Sequence, residues 1–277
     1  MVPSSKPVPE IPAETIQAAR EVYRLDHVYM IIGERLNEIL EGIAPADLDP
    51  TGGFGTSLAS RLALVTAFQF SERIPDDMAA QATLKRTDWK FALHLPIKHP
   101  GYSAGALCFF RESAYESRRA LQELDRLMKN LGTLGLFSKC TLKLLDPEQA
   151  LFSICNITRL SHLIQAMKST LSMLITQDPD WLRANSSGHW YARYRTGWLG
   201  RYSEWNDAQI VTEIDAIVSD IRLLLDRVRD EAGQNVFQQP EIQNLVWLTQ
   251  DYARKPDSTA TFRAGCATCA GHRTRCL

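Results

Sequence analysis

Apolar residues recur at helical spacing along most of the chain. Over residues 13–41 they return every three or four positions, which predicts helix with a break near Asp26. The segment 57–73 is apolar almost all round, which is typical of a central core helix. The Pro- and Gly-rich residues 42–57 between them predict a loop.

Helical patterns continue after this core segment. Asp76 is a candidate N-cap for a helix over 76–86, and a short helix is predicted to begin at Asp88. After a Pro- and Gly-containing turn, Ser103 is placed to cap a helical stretch over 104–132 that forms either one helix or two.

The segment 140–146 departs from helical spacing. Its apolar residues partly alternate, which predicts a short buried strand ending at Asp146. Helices are predicted again over 147–177, 207–231 and 240–254. The fold class expected is therefore mainly α, with a helix-turn-helix-like segment, one short strand near 140–146 and a long-helix region after it.

Composition places the chain among ordinary globular proteins. Of 277 residues, 45% are hydrophobic and 23% charged, with a net charge of -1, which excludes a uniformly basic nucleic-acid binder. No apolar run approaches the roughly 18 residues that cross a bilayer. The first residues lack the apolar stretch of a signal peptide. We therefore expect a cytoplasmic protein with no membrane partner.

Charge is unevenly distributed, and this opens the possibility of a local basic surface. Residues 56–140 carry 12 basic and 8 acidic side chains, and residues 76–119 follow the order helix, short helix, turn, helix. This layout is compatible with a helix-turn-helix variant on DNA, although on layout and charge alone solvated surface charge is the favoured interpretation. The candidate DNA-binding residues are Lys85, Arg86, Lys90, Arg111, Arg118 and Arg119.

A second basic segment, 181–205, intersperses tryptophan and tyrosine with arginine. Such a segment can stack on the bases of single-stranded nucleic acid. Alternatively, its rings are buried between helices while its arginines reach the solvent, and the cost of exposing tryptophan favours this interpretation.

Catalytic and metal-binding patterns are sparse. Asp146, at the end of the predicted strand, is the carboxylate whose placement suggests chemistry, but holding two metal ions needs several carboxylates. The tail offers zinc-ligand types, though with tight loops and little to bury around them, so a disordered or non-native terminus is the favoured alternative. These tail residues are Cys266, Cys269, His272 and Cys276. We predict no metal site.

A set of short motifs changes this picture. They are Arg61-Leu62, Gln69-Phe70, Asp76-Asp77, Ala79-Ala80, Asp88-Trp89-Lys90, Ala92-Leu93, Pro100-Gly101 and Phe110-Arg111. In this order, the stretch 57–112 resembles the InsH-like N-terminal domain of bacterial insertion-sequence transposases of the DDE type. Similar motifs at 124–137, 156–160, 178–182 and 189–194 extend the resemblance over about residues 20–255.

The resemblance implies roles and departures for particular residues. It places the family's first catalytic aspartate at Asp146, although Pro147 and Glu148 stand where hydroxyl residues usually follow. Cys108 and Phe109 stand where family members carry more polar residues. The later catalytic carboxylates of the family are expected beyond this chain, so no cofactor is expected here, and Mg²⁺ is implied only for a full-length member.

The resemblance also implies a domain organisation. Residues 1–11 are expected to be disordered, 12–138 to form the InsH-like domain, 139–255 to begin a truncated catalytic region with a helical insertion, and 256–277 to form a disordered tail. The expected function is recognition of the element's terminal repeats in double-stranded DNA, with possible homo-oligomerisation and without strand transfer by this chain alone. The alternatives are a helical interaction protein with no DNA role and, less favoured, an intact enzyme.

Overall fold

The computed structural model describes residues 8–137, 146–195, 204–231 and 233–253, and most of these are helical. The helices are α1 (Ala13–Val22), α2 (Val28–Glu34), α3 (Leu36–Ile39), α4 (Thr56–Glu72), α5 (Asp76–Lys85), α6 (Thr87–Ala92), α7 (Ala104–Tyr115), α8 (Arg118–Thr133), α9 (Pro147–Gln177), α10 (Pro179–Asn185), α11 (Trp190–Tyr194), α12 (Asp207–Glu231), α13 (Gly233–Phe237) and α14 (Pro240–Ala253).

These helices confirm the mainly α prediction. The break expected near Asp26 separates α1 from α2, and the stretch after Ser103 forms two helices rather than one. No strand occurs in the described ranges, and the predicted strand at 140–146 lies outside them except for Asp146.

Side-chain caps are present at some of the helix starts and absent at others. Ser103 accepts a hydrogen bond from the Ala106 amide and so caps α7, as predicted. Asp76 does not cap α5, because the N-cap is Pro75 and the Asp76 side chain is fully buried inside the first turn. A buried carboxylate needs a partner, and this partner is described below.

Two compact units make up the described chain, one ending at Ile154 and the other beginning at Cys155. The boundary lies inside α9, so the single long helix contributes its first turns to one unit and the rest to the other. The sequence-based division at 138–139, ahead of this helix, stays a prediction.

The first unit is built around α4, as its apolar pattern predicts. Leu62, Leu64, Val65 and Phe68 are completely buried, and α5, α7 and α8 contact this helix. Helix α6 contacts α1 and α2, and its Trp89 is also completely buried. Burial of side chains of this size provides the main stabilisation of the unit.

The turn between α6 and α7 depends on a glycine. Gly101 has a φ of 78°, and a Cβ at this position would lie 2.9 Å from the Leu84 amide nitrogen. The next residue, Tyr102, donates its amide hydrogen to Thr83 Oγ1 on α5. The turn is thereby held against α5, which fixes where α7 begins.

The second unit has its own apolar core. The buried face of α12 is formed by residues at the predicted helical register, namely Ile210, Ile214, Ile217, Ile221, Leu224 and Val228. They pack with residues of α9 and α14, and with Trp190 and Tyr194 of α11. Among the helices in the described ranges, none combines the length and the apolar character that a bilayer crossing needs.

Candidate nucleic-acid interface

Helices α7 and α8 form a helix-turn-helix pair joined by Glu116 and Ser117. Ser117 accepts a hydrogen bond from the Ala120 amide at 3.3 Å and caps α8. Half of the α7 residues are buried, and few are fully exposed, whereas α8 alternates between buried and exposed positions with a helical period. Of the two, α8 is therefore the helix with the longer exposed face.

The exposed face of α8 is basic. At 100° per residue, the outward positions cover an arc of about 120°, opposite the buried Leu124, Leu127 and Leu131. We call this face the α8 stripe; its residues are Arg118, Arg119, Gln122, Asp125, Arg126, Lys129 and Thr133. The helix is 16 residues long, or about 24 Å at 1.5 Å per residue.

Acidic neighbours only partly offset this charge. Arg126 pairs with Glu123 at 2.7 Å and Lys129 with Asp125 at 2.6 Å, while the basic partners remain 59% and 66% exposed. Arg119 is 81% exposed and lies 3.9 Å from Asp47. Exposed pairs of this kind contribute little and exchange readily for another anion. The stripe therefore remains a surface suited to phosphate.

Two of the predicted DNA-binding residues are interior instead. Arg111 is completely buried, and its guanidinium bonds Asp76 at 2.5 Å and Gln69 at 3.4 Å. Gln69 also donates to Asp76 at 2.6 Å, so the buried carboxylate and guanidinium are joined by a third polar group. The structure thus corrects the assignment of Arg111 to a DNA surface, because its charge compensates Asp76.

Lys90 is the second correction. It is 5% exposed, and its ammonium donates to the backbone carbonyls of Ile97 and His99. Burial lowers the pKa of this ammonium. Lys90 therefore holds the loop after α6 to the body of the unit and does not reach a duplex in this conformation.

Arg86 occupies an intermediate position. Its guanidinium lies over the rings of Tyr29 and Trp89, at 5.4 and 5.1 Å from their centroids. It also bonds Glu72 at 2.5 Å and Asp88 at 2.7 Å, and these two carboxylates more than compensate its single positive charge. The remaining predicted residues, Lys85, Arg118 and Arg119, are exposed. Their contact with DNA stays a prediction.

Asp146 lies at the start of α9. It is exposed, its carboxylate accepts the Glu148 amide at 3.1 Å, and its carbonyl accepts the Ala150 amide. These contacts are those of a helix N-cap, and they stabilise the beginning of the long helix. The described residues contain no group of three or more potential metal ligands. The cysteine- and histidine-bearing tail lies outside the described residues.

The aromatic-basic segment 181–205 is described except for residues 196–203. Trp190 and Tyr194 are 2% and 5% exposed and belong to the core of the second unit. Trp181 and Trp205 pack against the same core, whereas Tyr191 is 80% exposed. Four of these five rings therefore pack against the core, two of them buried and two partly buried, which confirms the favoured interpretation for most of the described rings.

A carboxylate on α12 positions the short helix α11. Asp220 accepts hydrogen bonds from Tyr194 at 2.7 Å and Arg193 at 2.6 Å, and it bonds His189 at 2.9 Å. Burial raises the pKa of Asp220, but the hydrogen bonds from His189, Tyr194 and Arg193 outweigh this effect and hold that pKa below its usual value. The ionised carboxylate is therefore the form on which α11 depends.

Two of the four basic residues of the α8 stripe, Arg126 and Lys129, are not among the DNA-binding residues predicted from the sequence. Arg126 lies seven positions after Arg119, and Lys129 lies eleven positions after Arg118. These spacings bring residues back to one helix face, so the signal was present in the sequence.

Comparison of the chain with protein-family models, curated proteins and solved structures finds no match.

Proposed function

We propose that this chain binds double-stranded DNA through the α8 stripe, as the DNA-recognising part of an insertion-sequence transposase. The observation that carries the proposal is the exposed basic face of α8, which is joined to α7 by a two-residue turn. The resemblance of residues 57–112 to the InsH-like domain supplies the biological context, namely the terminal repeats of the element.

The geometry of α8 suits the dimensions of a duplex. Between Arg118 and Lys129 the helix rises about 17 Å, which corresponds to about five phosphates along one DNA strand. The major groove, about 12 Å wide, admits an α-helix. The basic side chains provide affinity through phosphates, and Gln122 at the centre of the stripe is a residue type that reads base edges.

The proposal covers the recognition of DNA by this chain and does not include the strand-transfer reaction. Strand transfer needs several carboxylates around two metal ions, and Asp146 is placed here as a helix cap. Self-association, implied by the resemblance, would allow two copies to hold two element ends, and magnesium is implied only where the remaining carboxylates are supplied.

Salt-dependent affinity tests the proposal. We would measure fluorescence anisotropy of a labelled 30-base-pair duplex over several salt concentrations with the parent chain and the triple variant Arg118→Gln/Arg119→Gln/Lys129→Gln. Each lost phosphate contact lowers the slope of log affinity against log salt by roughly 0.9, so the triple variant should lose about 2.7. The loss should be similar on all duplex sequences.

A charge-matched control separates this surface from general charge. Arg20, Arg24 and Arg35 are exposed arginines of the same unit, each paired with a carboxylate outside α8. Their triple substitution by glutamine removes the same charge and should leave the slope almost unchanged. Equal losses in both variants, or no duplex binding by the parent chain, would favour the helical interaction protein without a DNA role.

A further inference from the structure

The second unit contains a cavity of about 530 Å³ that the proposed duplex binding does not use. It lies between the later turns of α9, helix α10, the turn 186–188 and helix α11. Its volume falls in the range of about 300–1,000 Å³ that is typical of small-molecule sites. The shape and the charge of the side chains that line the cavity indicate which class of ligand it can bind.

The floor of the cavity is fixed in place. Trp190 and Tyr194 line it and are almost fully buried in the core. The hydroxyl of Tyr194 donates to Asp220, and the neighbouring Arg193 bonds the same carboxylate. Helix α11 is therefore tied to α12 by a buried carboxylate, and the floor needs no rearrangement to accept a ligand.

The rim of the cavity carries an exposed ring. Tyr191 lines the cavity with 80% of its surface accessible, which is unusual beside two buried aromatic neighbours on the same short helix. A large exposed ring at the edge of a cavity offers a flat face for stacking. Nucleic-acid bases stack on aromatic side chains in this way, whatever their sequence.

The charge of the lining is of one sign. Lys168, Arg183 and Arg195 line the cavity with three serines, and none of the described lining residues is acidic. Arg183 pairs with Asp180 at 2.8 Å, but both side chains are more than three-quarters exposed, so this pair is weak. Three cations and several hydroxyls around an apolar floor favour a ligand with an anionic group and a flat apolar part.

We propose that this cavity binds one nucleotide, with the base against Tyr191 and the phosphate beside Lys168 and Arg195. A free mononucleotide and an unpaired nucleotide of a DNA single strand share this chemistry. The site is in the second unit and the α8 stripe in the first, so this inference does not depend on duplex binding by α8.

Binding of deoxyadenosine 5′-monophosphate to the full chain, followed by calorimetry, tests the proposal. Tyr191→Ala should weaken binding by roughly 5- to 140-fold, the range that loss of one stacked base gives. Lys168→Gln/Arg195→Gln should weaken binding of the nucleotide but leave that of deoxyadenosine unchanged, because only the phosphate is affected. The matched control is Arg222→Gln, an exposed arginine of α12 outside the cavity, which should bind as the parent does.

Three results would overturn the assignment. They are absence of nucleotide binding by the parent chain, binding that Tyr191→Ala and Lys168→Gln/Arg195→Gln leave unchanged, and displacement of the nucleotide by decanoate at lower concentration than by deoxyadenosine. The last result would show a site for an aliphatic anion, because decanoate has the charge without a flat ring.

A second experiment distinguishes a free mononucleotide from one nucleotide of a DNA single strand. If a ten-residue oligothymidylate binds at least tenfold more tightly than thymidine monophosphate, and Tyr191→Ala removes that gain, the cavity holds one nucleotide of a single strand. If the two bind equally, the ligand is a free nucleotide. The α8 triple variant should change neither affinity, and Tyr191→Ala should not change duplex binding, so failure of one proposal leaves the other testable.

Discussion

Helices α7 and α8 are neighbours in the chain and use arginine in opposite ways. Both begin at a serine cap, and they are separated by two residues. In α7, Arg111 is completely buried against Asp76. In α8, Arg119 is 81% exposed. The same residue type thus holds the fold together in one helix and is available to a ligand in the next.

The difference follows from where each helix faces. Helix α7 contacts α4, α5 and α8, and Arg111 lies on its buried face, so the charge of this residue must be compensated internally. Helix α8 contacts α3, α4 and α7 through one face only, and its other face is left to solvent. Substitutions in α7 should therefore affect stability, and substitutions in the α8 stripe should affect binding.

The largest effect is expected at Arg111. Replacing it by methionine leaves Asp76 buried without its guanidinium, which should lower the free energy of unfolding by about 3–5 kcal/mol. Urea denaturation of the full chain measures this. The double variant Arg111→Met/Asp76→Leu should recover most of the loss, because both buried charges are then gone. A single variant as stable as the parent would contradict the structural role of this pair.

In the second unit, Asp220 is a buried charge like Arg111 in the first. Its contribution to the free energy of unfolding should depend on pH. Since its pKa is lowered in the folded chain, its contribution is present above the unfolded value of about 3.9 and is lost as the pH falls through the folded value. Asp220→Asn should cost roughly 2–3 kcal/mol at neutral pH. The difference between parent and variant should shrink below about pH 4. A difference that stayed constant down to pH 2 in urea melts would show that the carboxylate charge is not what holds α11.

Smaller effects on the free energy of unfolding are expected at the two serine caps, and the two should be similar in size. Ser103→Ala and Ser117→Ala each remove a hydrogen bond to the first turn of a helix, and each should cost about 1 kcal/mol. The corresponding glycine variants should cost only a few tenths of a kcal/mol. Thermal unfolding of all four variants checks this, and alanine variants no less stable than the glycine ones would show that the serine hydroxyls do not cap.

The smallest effect on stability is expected in the α8 stripe. Arg119→Gln should change the free energy of unfolding by less than about 0.5 kcal/mol, because its pairing with Asp47 is long and solvated. The same variant should lower the salt slope of duplex binding by roughly 0.9. A loss of stability comparable to that of Arg111→Met would remove the distinction between the two helices.

The sequence predicts the positions of the helices better than it predicts the contacts of individual charged side chains. The ranges of α9 and α12 and the core position of α4 followed from apolar spacing, because burial of a helix face imposes a regular period. The burial of Arg111 could not be predicted from spacing. It depends on an interior contact with Asp76, which lies 35 positions earlier in the chain. The α8 stripe was readable from spacing alone, but the contacts of Arg193 with Asp220 required the fold.

The central claim, that the α8 stripe meets duplex DNA, is tested most directly by site-specific photocrosslinking. A benzophenone amino acid at Gln122, in the middle of the stripe, is compared with the same group at Val22, which is 70% exposed on α1. With a radiolabelled duplex at low salt, the account predicts strong crosslinking from position 122, suppressed by salt and by Arg118→Gln/Arg119→Gln/Lys129→Gln, and little from position 22. Equal crosslinking from the two positions, or none from position 122 while the duplex is bound, would contradict it.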